Sequence, residues 1–95
     1  MKEIILSADG DKIVYLVPDG VADNLEKYCM EFCDDWIWNS QNAKHLRTQE
    51  GVCYTEEDFI EYLNNYIFPS QKSRFIKNLG SRIPFRYRKH PCFNF

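Results

Sequence analysis

Four cysteines and two histidines carry the most reactive side chains of this chain. Cys29 and Cys33 lie one helical turn apart, and with Cys53, Cys92 or His90 they offer the ligand types of a zinc site. Their spacing differs from that of zinc knuckles and ribbons, in which paired cysteines sit in a turn at each end of the site. Both thiols also fall within an apolar stripe, where free cysteine behaves as a small hydrophobic residue. We therefore expect core thiols, with no metal and no other cofactor.

The same residue types allow a Cys–His nucleophile pair, because its partners need only meet in space. Cys53 or Cys92 with His45 or His90 would supply it, yet no motif orients a pair and neither cysteine lies at a predicted helix N-terminus that would activate the thiol. The four glycines are scattered, so no phosphate-cradling loop of the Walker or dinucleotide type is possible. We predict a protein that is not an enzyme.

Length and composition predict one globular domain, residues 1–95. The chain is 44% hydrophobic and 16% aromatic, which is too apolar for intrinsic disorder. The apolar runs near the N-terminus are too short for a signal-peptide core or a membrane span. We expect a cytoplasmic protein, with no membrane association and with thiols kept reduced.

Local patterns predict a hairpin followed by two helices. Residues 2–17 contain two β-prone runs around Asp9-Gly10, a dipeptide that suits a tight turn. Residues 21–37 show helical spacing, and a helical turn is expected around Ala43–Leu46. A second helix begins at Thr55, with Asp58 at the capping-box position. Its apolar face consists of Phe59, Ile60, Leu63, Tyr66 and Ile67.

The last third of the chain predicts a short third helix and one more strand. Pro69 precedes a segment through Phe75, Ile76 and Leu79 that Gly80 is placed to end. Residues 85–88 alternate aromatic and basic residues, as in a half-buried strand that adds to the hairpin, and Pro91 directs residues 92–95 back onto the body. The predicted fold class is α+β, a small antiparallel sheet packed against about three helices. Its predicted buried residues are Leu25, Phe32, Trp36, Phe59, Leu63 and Phe75.

Charge is divided sharply along the chain. Residues 1–68 carry all 14 acidic side chains and five basic ones, a net charge of −9, whereas residues 69–95 carry seven basic side chains and no acidic one. This asymmetry predicts either two halves that attract each other or two surfaces with different partners.

Two candidate binding surfaces follow from this division. The acidic one lies on the solvent-facing stripes of the two helices, with one large aromatic residue among the acids, and predicts a basic protein partner. It comprises Glu31, Asp34, Asp35, Trp38, Glu57, Asp58 and Glu61. The alternative is a nucleic-acid surface on the predicted third helix and the C-terminal segment, although the chain as a whole is acidic. It comprises Lys72, Arg74, Lys77, Arg86, Arg88 and Lys89.

Three stretches of the chain, KIVYLVPDGVADNLEKYCMEFCDDWIW, EGVCYTEEDFIEYLNNYIFP and HPCFNF, are similar to small uncharacterised bacterial proteins. Some of those proteins resemble immunity proteins encoded beside polymorphic toxins. The resemblance implies an inhibitor that binds another protein. Toxin nucleases need positive charge to hold nucleic acid, so an acidic surface suits such a partner.

Overall fold

The N-terminal hairpin forms the centre of a four-stranded sheet in the computed structural model, which describes all 95 residues. Strand β1 (Lys2–Ser7) pairs antiparallel with β2 (Ile13–Val17). Residues 8–12 join the two strands, and Asp9 among them adopts the left-handed conformation, with φ of 57°. The predicted hairpin is confirmed.

The two outer strands of the sheet come from the last third of the chain. Strand β5 (Arg74–Asn78) pairs antiparallel with β2, and β6 (Cys92–Asn94) pairs parallel with β1. The sheet is therefore mixed, whereas an antiparallel one was predicted. Strands β5 and β6 run in the same direction, so residues 79–91 must cross from one edge of the sheet to the other. A separate two-stranded ladder joins β3 (Arg47–Thr48) and β4 (Gly51–Val52).

The first predicted helix is present but interrupted. It consists of α1 (Asp19–Asp23), α2 (Leu25–Met30), a π-helical turn (Glu31–Trp36) and α3 (Ile37–Asn39). A π-helical turn carries more residues than an α-helical one, so the residue five positions after Phe32 takes the core position. Ile37 is fully buried and Trp36 is only half-buried, which corrects the prediction of a buried Trp36.

The second helix begins where the sequence predicts. Helix α4 (Glu56–Tyr62) continues as a π-helical turn (Leu63–Ile67). Asp58 Oδ2 accepts a hydrogen bond from the Thr55 backbone N–H at 2.9 Å, which satisfies a donor at the helix N-terminus. Between the two helices, a 3₁₀-helix (Gln41–Leu46) lies at the predicted helical turn.

The predicted third helix is wrong, because residues 74–78 form strand β5. The Asn64 side chain fixes the entry to this strand: its Nδ2 donates to the Ser73 carbonyl at 3.0 Å, and its Oδ1 accepts from the Ser73 N–H at 2.6 Å. Tyr15 and Phe75 then meet edge to face across the β2–β5 ladder, with ring centroids 6.2 Å apart. Phe75 lies on an edge strand and is 57% exposed, so its predicted burial is also wrong.

The predicted strand at residues 85–88 is wrong as well, because Phe85–Tyr87 form a 3₁₀-helix after Pro84. The chain end nevertheless returns to the body, as predicted for residues 92–95. The Phe95 ring packs against Phe59 and Phe32, with centroids 5.4 and 5.9 Å apart, and the Phe95 N–H donates to the Ser7 carbonyl.

The main core lies between the sheet and the helices. Four of the six residues predicted to be buried are buried there: Leu25, Phe32, Phe59 and Leu63. The other face of the central strands buries Ile5 and Val14. Ile83, from the crossing segment, lines a small cavity on that face together with Ile5. None of the helices combines the length and the apolar character that crossing a membrane requires.

Candidate functional site: an acidic groove and a basic depression

The two long helical segments meet along a groove with an aromatic floor. Trp36 and Tyr62 lie with ring centroids 4.9 Å apart, and Trp36 and Tyr66 with centroids 5.3 Å apart. Tyr62 is buried, whereas Tyr66 is 46% exposed. We use the term acidic groove for the surface formed by these three rings and the carboxylates beside them, Glu31, Asp35, Asp58 and Glu61. The π-helical turn creates its floor, because it moves Trp36 out of the core position.

Carboxylates border this floor on both sides. Glu31 and Asp35 line a depression on one side of the Trp36–Tyr62 pair, and Asp58 and Glu61 line a depression on the other side. Burial raises the pKa of the Tyr62 hydroxyl, and the nearby charges of Glu31 and Asp35 raise it further. Four of the six predicted acidic residues are thus brought together around one aromatic pair.

The other three members of the predicted acidic surface lie outside the groove lining. Asp34 is adjacent to the Cys33 thiol, with Oδ1 and Sγ 3.9 Å apart. Glu57 lies toward the sheet: the pKa of Tyr15 rises to about 12 through burial, then through the charges of Glu56 and Glu57. Trp38 is 51% exposed, but it lines neither depression of the groove.

The acidic side chains of the groove form no ion pair with a basic side chain of the protein. Two ion pairs join the Met1 amine with Asp19 and Lys2 with Asp23, and His90 Nε2 lies 3.4 Å from Glu3 Oε1. Asp58 is hydrogen-bonded to the helix N-terminus, and Asp35 accepts a hydrogen bond from Asn39 at 2.7 Å. Of the two interpretations of the charge asymmetry, this arrangement favours surfaces directed at different partners.

The predicted nucleic-acid residues fall into two groups. Arg74 and Lys77 are exposed on the edge strand β5, and Lys72 donates to the Asn64 carbonyl just before that strand. The second group surrounds an open depression of about 690 Å³ that we call the basic depression. It is lined by Lys2, Glu3, Phe85, Arg86, Arg88, Lys89, His90 and Pro91.

The four cysteines are free thiols in different environments. Cys29 is buried in the core, as predicted, and burial followed by the neighbouring Cys33 raises its thiol pKa. Cys33, within the π-helical turn, is only half-buried against the core, which corrects its predicted place inside the core, and Cys53 and Cys92 are exposed. The structure has no cluster of three or more His, Cys, Asp or Glu side chains placed to hold a metal ion.

Sequence reasoning missed the aromatic floor of the groove and the exposed ring of the basic depression. Both contain signals that were readable. Tyr62 and Tyr66 are an aromatic pair at i, i+4 spacing on a helix rich in acids, and such a pair shares one helix face. Phe85 follows a proline within a run of basic residues, where its period-two neighbours suggested a strand instead.

Comparison with known proteins gave no assignment: no protein-family model, no curated protein and no solved structure matches the chain.

Proposed function

We propose that this protein works by binding rather than by catalysis, as an immunity-type inhibitor that holds a basic partner protein in its acidic groove. One observation carries the proposal: Glu31, Asp35 and Glu61, which form no ion pair within the chain, border a half-buried Trp36 and an exposed Tyr66. The resemblance of the sequence to immunity-type proteins points to the same class. In this proposal the inhibitor acts in the cytoplasm, where its free thiols stay reduced.

The groove offers what a basic protein surface would recognise. A cluster of negatively charged carboxylates steers a cationic partner toward the surface and raises its association rate by about 10- to 1,000-fold at low salt. Trp and Tyr are frequent anchor residues of interfaces, and arginine side chains stack on such rings while pairing with neighbouring carboxylates. Trp36 and Tyr66 are the rings, and Asp35 and Glu61 the exposed carboxylates, that would receive an arginine of the partner.

The test compares two variants with the same change of charge. Asp35→Lys with Glu61→Lys reverses the charge of two side chains in the groove. Glu26→Lys with Glu50→Lys reverses the charge of two exposed side chains outside it. All four positions are exposed, so both variants should keep the melting temperature of the wild type. Each immobilised protein is used to capture partners from the native host, and the captured protein is then bound to each purified variant by titration.

We expect one basic protein to bind the wild type and the Glu26, Glu50 variant with similar affinity. Its affinity for the groove variant should fall by at least tenfold, since two close charge pairs become repulsive. Equal binding to all three proteins would overturn the proposal. Recovery of nucleic acid in place of a protein would overturn it too.

A further inference from the structure

The most exposed large hydrophobic side chain of the protein lies in the basic depression. Phe85 is 82% exposed, although the chain buries most of its other phenylalanines at least in part. It begins the 3₁₀-helix Phe85–Tyr87 within the segment that crosses the sheet. An aromatic ring presented in this way has a flat face available to a ligand.

One planar cation lies over this ring, and a second lies over the neighbouring Tyr87 ring. The Arg88 guanidinium carbon is 5.2 Å from the Phe85 ring centroid, and the Arg86 guanidinium carbon is 5.2 Å from that of Tyr87. Arg86, Arg88 and Lys89 form no ion pair, and the one carboxylate in the lining, Glu3, lies with its Oε1 3.4 Å from His90 Nε2. The depression therefore combines stacking surface with three unpaired positive charges.

We infer that the basic depression binds single-stranded nucleic acid, with a base stacked on Phe85 and phosphates at Arg86, Arg88 and Lys89. Proteins that bind single strands combine cations that follow the backbone with aromatic rings on which bases stack. A peptide rich in aspartate and glutamate would match the charge but would leave the Phe85 ring without a planar partner. The volume, about 690 Å³, is in the range of sites for small ligands and allows a short stretch of nucleotides.

The depression and the acidic groove are built from different elements of the fold. The crossing segment lies over the sheet face opposite the helices, as the cavity shared by Ile83 and Ile5 indicates. The acids of the groove belong to the helices on the other face. The inference therefore stands independently of the proposed protein partner.

Fluorescence anisotropy with labelled ten-nucleotide strands of deoxythymidine and of uridine tests the inference. Neutralising three phosphates in a single strand predicts a log–log salt slope of about −2, or roughly a 20-fold loss of affinity between 50 and 200 mM salt. Phe85→Ala should weaken binding by roughly tenfold, since it removes one stacked base. Phe75→Ala, which truncates another exposed phenylalanine, is the matched control and should leave binding unchanged.

Charge is tested in the same way. Arg86→Glu with Arg88→Glu should abolish binding at 200 mM salt, whereas Lys27→Glu with Lys44→Glu, at exposed positions outside the depression, should change it little. When Phe85→Ala is added to the groove variant Asp35→Lys with Glu61→Lys, it should weaken strand binding by the same factor as in the wild type. If neither strand bound at 50 mM salt, the inference would be overturned. An unchanged affinity in Phe85→Ala would also overturn it, as would displacement of the strand by a polyglutamate peptide at lower concentration than by unlabelled strand.

Discussion

The two faces of the four-stranded sheet bury their apolar residues by different means. On the helix-covered face, the Phe32 ring meets five other aromatic rings with centroids 5.2 to 5.9 Å apart. Those rings belong to Trp36, Tyr54, Phe59, Tyr62 and Phe95. On the opposite face, Ile5 and Val14 are buried, and the crossing segment, whose regular structure is a single 3₁₀-helix, places Ile83 beside Ile5 and leaves Phe85 in solvent.

The difference explains why both candidate sites contain exposed aromatic residues. On the helix-covered face, the π-helical turn moves Trp36 out of the core position, and Trp36 and Tyr66 extend the aromatic cluster to the surface between acidic side chains. The opposite face needs only to cover two short strands, so a ring in the crossing segment is not required for burial. Exposed aromatic residues thus arise from a π-helical turn on one face and from a small core on the other.

Removing residues 92–95 should have the largest effect, because it takes strand β6 and two core rings from the helix-covered face. Phe93 and Phe95 pack against the core, and each buried aromatic side chain contributes about 2 kcal/mol or more. That loss is a large share of the 5–15 kcal/mol typical of a small domain. We expect an unfolded or aggregated protein, judged by circular dichroism and urea denaturation.

The matched change on the opposite face is Phe85→Ala, which should alter the free energy of unfolding by less than about 0.5 kcal/mol. A truncated protein that kept the stability of the wild type would break the comparison. A large loss of stability in Phe85→Ala would show that the crossing segment is a second aromatic core.

The π-helical turn predicts an intermediate effect within the helix-covered face. Ile37 is fully buried, so Ile37→Ala should lower the free energy of unfolding by about 2–5 kcal/mol. Trp38 is half-exposed, and Trp38→Ala should cost less than about 1 kcal/mol. An uninterrupted α-helix would place Trp36 and Cys33 inward and leave Ile37 outside the stripe. Equal stability of Ile37→Ala and the wild type in urea denaturation would therefore contradict the turn.

The smallest effect concerns pH. Tyr15, on the helix-covered face, has a pKa of about 12 in the folded protein, through burial and then the charges of Glu56 and Glu57, against about 10 when unfolded. Below pH 10 both states are protonated and the stabilisation is complete. Above pH 10 the unfolded state loses its proton first, so the free energy of unfolding falls by at most about 1.4 kcal/mol per pH unit until pH 12.

Urea denaturation at pH 9, 10 and 11 measures this dependence. Tyr15→Phe removes the ionisable group and should flatten the decline relative to the wild type. An identical decline in both proteins would show that Tyr15 does not couple to folding.

Elements that depend on near neighbours in sequence were predictable. The hairpin follows from two β-prone runs around Asp9-Gly10, and α4 follows from helical spacing and from Asp58 at the capping-box position. The acids of the groove could be placed on two helix faces for the same reason. Their meeting around Trp36 required knowing how the two helices pack, which local periodicity does not contain.

The errors all arise where a distant contact decides the local conformation. Residues 74–78 contain apolar residues at spacings that fit a short helix or a strand, and pairing with β2 selects the strand. The alternation at residues 85–88 predicts a strand, but the outer edge of β1 is taken by β6, and Phe85–Tyr87 turn after Pro84 instead. The π-helical turn leaves no signature in the sequence, so Trp36 was assigned to the core.

The parallel pairing of β6 with β1 also fixes an order in time. Strands β1 and β2 are joined by a short turn, whereas Ser7 and Asn94, which hydrogen-bond at 3.0 Å, are 87 positions apart. Closing a long loop costs more chain entropy than closing a short one. The hairpin can therefore form early, and the outer edge of β1 receives its partner only after the chain has crossed the sheet. Protection of backbone amides from hydrogen exchange should follow this order, greatest along β1–β2 and least where β6 closes the sheet.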